Sequence, residues 1–99
     1  MEKIKAKELY QKAIKVSGEK AQLEMLQEEA TELALATRKY IRKPNEETLS
    51  ALASEVADVK IMLEQLAIMI PDIVTLANQW GDLKLERLEK TLFELGAQD

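Results

Sequence analysis

The stretch EKAQLEMLQEEATELALATRKYIR, residues 19–42, decides the fold class of this chain. Its apolar residues return every third or fourth position, which is the period of an α-helix with one buried face. Lys39 and Arg42 lie near its end, where the helix dipole favours cations, and Pro44 blocks continuation. The pattern therefore predicts a helix over residues 19–42. Its apolar side carries Leu23, Leu26, Ala30, Leu33, Thr37, Tyr40 and Ile41.

The helical period continues on both sides of this stretch. Upstream, an apolar stripe ends at Ser17-Gly18, which predicts a first helix with its end there. Downstream, Asn45 is a good N-cap for a third helix that runs to Pro71. A last helical segment follows, and Gly81-Asp82 either breaks or kinks it. The prediction is an all-α protein, one domain over residues 1–99, folded as an antiparallel four- or five-helix bundle.

Composition excludes several classes of function. The net charge of −4 argues against a general nucleic-acid surface, which needs a basic excess. The absence of cysteine and histidine removes disulfides, thiolate sites, Ser-His nucleophiles and His-ligated zinc. The longest apolar run, Leu66–Ile70, is far too short to span a bilayer, and the N-terminus has no signal-peptide stretch. We therefore expect a cytoplasmic protein with no nucleic-acid or membrane partner.

Two acidic pairs with the same i, i+3 spacing indicate a metal site. They are Glu29 with Glu32, and Glu55 with Asp58. At about 100° per residue, the first member of each pair falls on the apolar edge of its helix and the second on the shoulder. Burying an ionised carboxylate is costly unless a counter-charge compensates it. Four carboxylates converging from two antiparallel helices therefore predict an oxygen-lined site for Mg2+, with Mn2+ as a substitute.

These residues and their flanks resemble a known family. Glu28-Glu29-x-x-Glu32 followed by Glu55-x-x-Asp58 is similar to the signature of the MazG-like all-alpha nucleoside triphosphate pyrophosphohydrolases. The runs 18–33, 55–59 and 84–88 resemble its short, phage-type members, and the resemblance covers roughly residues 10–92. It implies a MazG-like fold in a homodimer or a dimer of dimers. It also implies hydrolysis of a (d)NTP between the α and β phosphates, which gives a monophosphate and pyrophosphate.

The resemblance implies that the four carboxylates hold Mg2+ and form the catalytic set: Glu29, Glu32, Glu55 and Asp58. Either Glu29 or Glu32 is the candidate to accept the proton of the attacking water. The chain lacks the additional aromatic residues that some relatives use as a base pocket, so the preferred base stays open.

Three further residues are candidates for substrate binding. Gln22 lies two turns before Glu29 on the same helix face and is a candidate to contact either the nucleotide or one of the carboxylates. Lys84 and Arg87 lie one turn apart near the C-terminus and suit phosphate groups. Each has a plain structural alternative, which is a polar residue at the mouth of the bundle for Gln22 and surface ion pairing for the two basic residues.

Other functions compete with this prediction. Helical chains rich in acidic residues contain solvated Glu-x-x-Glu pairs by chance. A non-catalytic interaction or regulatory module would use such pairs for interchain salt bridges with Lys39, Lys43 or Arg87. A degenerate family member would bind nucleotide without hydrolysing it, although the intact set of four carboxylates speaks against this.

Overall fold

A computed structural model describes residues 1–96 of the 99-residue chain. These residues form four α-helices and no strand: α1 (Lys3–Ser17), α2 (Glu19–Arg42), α3 (Glu46–Met69) and α4 (Asp72–Glu94). The all-α prediction is confirmed, and α2 has the bounds expected from its apolar period. None of the helices in this part of the chain combines the length and the apolar character needed to cross a membrane.

A single glycine separates α1 from α2. Gly18 has φ +90° and ψ 157°, a backbone conformation that is essentially restricted to glycine. Its N–H still donates to the carbonyl oxygen of Ile14 at 2.8 Å and so closes the last turn of α1. The predicted end of the first helix at Ser17-Gly18 is confirmed, and α2 begins at the next residue because the chain turns within one residue.

A short connection, residues 43–45, joins α2 to α3. The side-chain oxygen of Asn45 accepts a hydrogen bond from the backbone N–H of Thr48 at 2.8 Å. In return, the backbone N–H of Asn45 donates to the hydroxyl oxygen of Thr48 at 3.1 Å. This reciprocal cap satisfies a backbone donor that the first turn of α3 leaves free, as predicted for Asn45. The connection fixes α2 and α3 as antiparallel neighbours.

The chain divides into two compact units, Met1–Met69 and Ile70–Asp99. In the first unit α2 packs most extensively on α3, and α1 packs on both. Its interior is thin: among the described residues, the buried apolar side chains are Ala36 and Met62 and the buried polar ones are Gln22 and Gln65. The leucines of the predicted stripes are at most half-buried.

In the second unit, α4 is one continuous helix through Gly81 and Asp82. The alternative of a break at this point is therefore excluded, and the described part of the chain has four helices rather than five. The large apolar residues of α4 recur at helical spacing, and a unit with a single helix has no second element of its own to cover them. The single domain over residues 1–99 stays a prediction.

Candidate metal centre

Three of the four predicted carboxylates meet between α2 and α3. Glu29 projects from α2, and Glu55 and Asp58 project from successive turns of α3. One carboxylate oxygen from each of the three lies within 4.8 Å of the other two. All three side chains are half-buried. Residues three apart share one face of a helix, and on α3 the i, i+3 spacing directs both carboxylates of the pair toward Glu29 of α2.

The carboxyl group of Glu29 has an unusual electrostatic environment. Burial raises the pKa of Glu29 above its ordinary value of 4.5, and the negative charges of Asp58 and Glu55 raise the pKa further. The cluster therefore holds more negative charge than its surroundings stabilise. Binding of a proton or a metal cation reduces the repulsion among the carboxylates.

Glu55 supplies a second, independent feature of the cluster. Its Oε2 atom is buried and has no hydrogen-bond partner in the part of the chain that the structure describes. An orphaned buried carboxylate oxygen is rare in folded proteins because it loses hydration without replacement. A hard cation bound by oxygen ligands satisfies such an atom, so the residues present fit Mg2+ or Mn2+.

No basic side chain neutralises the cluster within residues 1–96. The ion pair found there joins Lys20 to Glu24 at 4.0 Å on the exposed face of α2, away from the three carboxylates. Lys39, which the salt-bridge alternative assigns to the acidic pairs, is exposed near the end of α2. Within one copy of the described chain, the charge of the cluster is therefore left uncompensated.

Glu32 is the predicted carboxylate that the structure does not bring into the group of three. It is exposed, one turn after Glu29 on α2. Its neighbour in the motif, Glu28, is exposed as well. Its predicted roles as a ligand or as the proton acceptor stay predictions, and its exposure leaves its carboxylate accessible to solvent and to a ligand.

Gln22 is buried and forms a hydrogen bond with a residue outside the predicted site. Its Nε2 atom donates a hydrogen bond to Oε1 of Gln65 at 2.6 Å across the interface of α2 and α3. The two side chains are 7% and 5% exposed. A signal for Gln65 was present in the sequence: it lies seven residues after Asp58, just as Gln22 lies seven residues before Glu29. The prediction that Gln22 contacts a nucleotide stays a prediction.

Lys84 and Arg87 lie one turn apart on α4, and both are exposed. Their i, i+3 spacing places them on one face of the helix, where they can act together on an anion. They belong to the second unit of the chain. Their predicted contact with a triphosphate stays a prediction.

Comparisons with protein-family models, with curated proteins and with solved structures find no match for this chain. The family resemblance described above therefore stays a prediction that rests on the sequence motif.

Proposed function

We propose that this protein is a Mg2+-dependent nucleoside triphosphate pyrophosphohydrolase with a MazG-like all-alpha fold. The observation that carries the proposal is the cluster of Glu29, Glu55 and Asp58, whose oxygens lie within 4.8 Å of one another. The cluster includes a buried oxygen of Glu55 without a partner. These carboxylates come from two helices and pair with no basic side chain of residues 1–96, an arrangement that suits a divalent cation. A divalent cation in turn suits a polyphosphate.

In this proposal the three clustered carboxylates are the metal ligands and Glu32 completes the set of four. Held by these carboxylates, Mg2+ would neutralise phosphate oxygens and lower the pKa of the attacking water. Glu29 or Glu32 would accept a proton from the attacking water while the water oxygen forms a bond to one of the two phosphorus atoms of the α–β bridge. The bond from that phosphorus to the bridging oxygen breaks and this oxygen leaves with the other phosphate, so the products are a (d)NMP and pyrophosphate.

Substrate binding is assigned to basic and amide groups outside the cluster. Lys84 and Arg87 are the candidates for phosphate binding, because Arg offers a planar fork of donors and Lys a compact charge. Gln22 is a third candidate through its amide. The sequence supports a (d)NTP as the substrate class, and the base is left to experiment.

The proposed working form is a homodimer or a dimer of dimers. A chain of this size buries a modest share of its surface, and the first unit buries only Ala36 and Met62 among its described apolar residues. Large apolar residues on α2 and α3 stay about half exposed, such as Leu35 and Leu63 at 49% each. A second copy that covers them adds the hydrophobic burial that one copy lacks.

A nucleotide panel tests the proposal. Each NTP and dNTP is incubated with the protein and Mg2+ or Mn2+, and pyrophosphate and orthophosphate are measured separately. We expect pyrophosphate from at least one nucleotide, and loss of its release in Glu55→Gln. Glu64→Gln is the matched control, because Glu64 is exposed on α3 outside the cluster.

The same panel separates the alternative function. An interaction module that uses its acidic pairs for interchain salt bridges releases no pyrophosphate from any nucleotide. In that case Glu55→Gln weakens self-association measured by sedimentation, and Mg2+ has no effect on it.

A further inference from the structure

Gln22 and Gln65 form a buried pair of polar side chains in the interface between α2 and α3. It is the hydrogen bond between side chains that joins these two helices in the described part of the chain. Both side chains are more than nine-tenths buried. Buried polar side chains add less to stability than apolar ones of the same shape, and their best-attested use is to specify the alignment of packed helices.

The position of the pair relates it to the acidic cluster. Residues 43–45 tie α2 to α3 at one end of the helical hairpin. The amide pair ties the helices toward the opposite end, and the cluster lies between the two ties. Seven residues, about 10 Å of helix, separate Gln22 from Glu29 on α2 and Asp58 from Gln65 on α3.

The cluster itself works against the contact of α2 with α3. Glu29 repels Asp58 and Glu55 across the interface when all three are ionised, and no basic side chain of residues 1–96 pairs with them. Apolar packing opposes this repulsion weakly, because Ala36 and Met62 are the buried apolar residues of the described chain. The helices therefore need another contact to stay aligned in the absence of a cation.

We propose that the Gln22–Gln65 pair is a clamp that holds α2 and α3 together against the repulsion of the carboxylates. The clamp sets the carboxylates in place for a cation before the cation binds, an inference that rests on the metal site proposed above. Gln22 and Gln65 are positioning residues in this arrangement, and neither needs to touch metal or nucleotide.

A distance measurement between α2 and α3 tests the clamp. Gln27 and Lys60 are exposed positions on the two helices, and the chain has no cysteine, so Gln27→Cys with Lys60→Cys accepts spin labels only there. Distances are measured by pulsed electron paramagnetic resonance in EDTA. The clamp variant is Gln22→Met with Gln65→Met, which removes both polar partners together and keeps unbranched side chains of similar length.

With the clamp intact we expect one narrow distance distribution. In the clamp variant we expect longer and broader distances, and a larger change at about 10 mM salt than at about 1 M, because salt screens the repulsion. Added Mg2+, which is not paramagnetic, restores the narrow distribution. Unchanged distances in the clamp variant at low salt overturn the proposal.

Neutralising the cluster distinguishes a clamp from ordinary packing. Glu29→Gln with Glu55→Gln, added to the clamp variant, removes the repulsion and returns the narrow distribution if the pair acts against charge. Distances that stay broad in this background overturn the proposal. If the clamp variant loses its helical circular dichroism signal, the same two substitutions decide the question. A helical signal that returns in the presence of Glu29→Gln and Glu55→Gln supports the clamp. A signal that is absent both with and without these substitutions contradicts it.

A Mg2+ titration by calorimetry links the clamp to the site. We expect roughly 10- to 100-fold weaker Mg2+ binding in the clamp variant, the size of effect typical of groups that position metal ligands. Equal affinity in the two proteins contradicts the positioning role. If the unsubstituted protein binds no Mg2+, the proposed metal site fails, while the distances in EDTA still decide the clamp.

Discussion

Replacing Glu55 by Gln keeps the size of the side chain and removes one of three clustered charges. The cluster is assembled only in the folded chain, because Glu29 and Glu55 come from different helices. If Mg2+ binds at this cluster as proposed, it binds only the folded state and stabilises that state. At about 100 times its dissociation constant, a ligand of this kind adds about 2.7 kcal/mol. For a domain of this size, each kcal/mol raises the melting temperature by about 4–8 °C, so the expected increase is roughly 10–20 °C.

The Glu55→Gln variant should lose about half of this increase in melting temperature or more. The amide group carries no charge, and its nitrogen replaces one of two oxygens at a position where one oxygen is buried without a partner. An affinity lowered tenfold leaves about 1.4 kcal/mol at the same Mg2+ concentration, and an affinity lowered 100-fold leaves about 0.4 kcal/mol. Thermal unfolding followed by circular dichroism, in EDTA and in Mg2+, measures the difference directly.

Glu64→Gln is the control for this measurement, because it removes an exposed charge from the same helix. The rise in its melting temperature on addition of Mg2+ should equal that of the unsubstituted protein. If Mg2+ raises the melting temperature of Glu55→Gln as much as that of the control, the assignment of the cation to the cluster is refuted. A loss of equal size in both variants also refutes it, since it indicates general screening of acidic charge rather than a site.

Three further predictions concern the metal-free fold. The pKa of Glu29 is raised in the folded state, so the native chain binds more protons than the unfolded one. The contribution of Glu29 to stability in EDTA should be fully present below pH 4.5 and be lost as pH rises through the raised pKa. Urea titrations at several pH values should no longer show this loss in Glu29→Gln. Asn45→Ala removes the cap of α3 and should cost about 1 kcal/mol, or about 4–8 °C in melting temperature, while Ser50→Ala on the exposed face of α3 should cost nothing. Gly18→Ala should cost about 1–3 kcal/mol of stability, because alanine is strained at φ +90°. Backbone strain is the whole cost, since no atom lies within 4 Å of an added Cβ. Gly81→Ala, inside α4 with equally open space, should instead gain about 0.5–1 kcal/mol, so equal signs in denaturant titrations of the two would contradict the backbone argument.

The helices themselves were predictable because their signals are local. The apolar period, Gly18 and the pair Pro44-Asn45 place α2 and the start of α3 within one or two residues of the chain. Such signals depend on hydrogen bonds and dihedral angles over four residues or fewer. The continuity of α4 through Gly81 was not predictable, because a single glycine inside a helix costs only about 1 kcal/mol and neighbouring residues decide the outcome.

The membership of the acidic cluster was predictable only in part. Helical phase correctly indicated that Glu29 and Glu55 lie on inward edges, where both are half-buried. It gave Glu32 and Asp58 equivalent shoulders, yet Asp58 joins the cluster and Glu32 is exposed. Phase along one helix does not give the rotation of that helix against its neighbour. Contacts between helices, such as the buried bond of Gln22 to Gln65, fix that rotation.

In the proposed function, Glu29, Glu55 and Asp58 hold the divalent cation on which a nucleoside triphosphate is hydrolysed. Crystals grown with Mn2+ and a triphosphate analogue that has a non-hydrolysable bridge between the α and β phosphates test this claim most directly, because manganese is located by its anomalous scattering. We expect an anomalous peak in contact with carboxylate oxygens of all three residues, with phosphate oxygens of the analogue beside it. A cluster without a peak, or manganese and nucleotide bound together at another place, would contradict it.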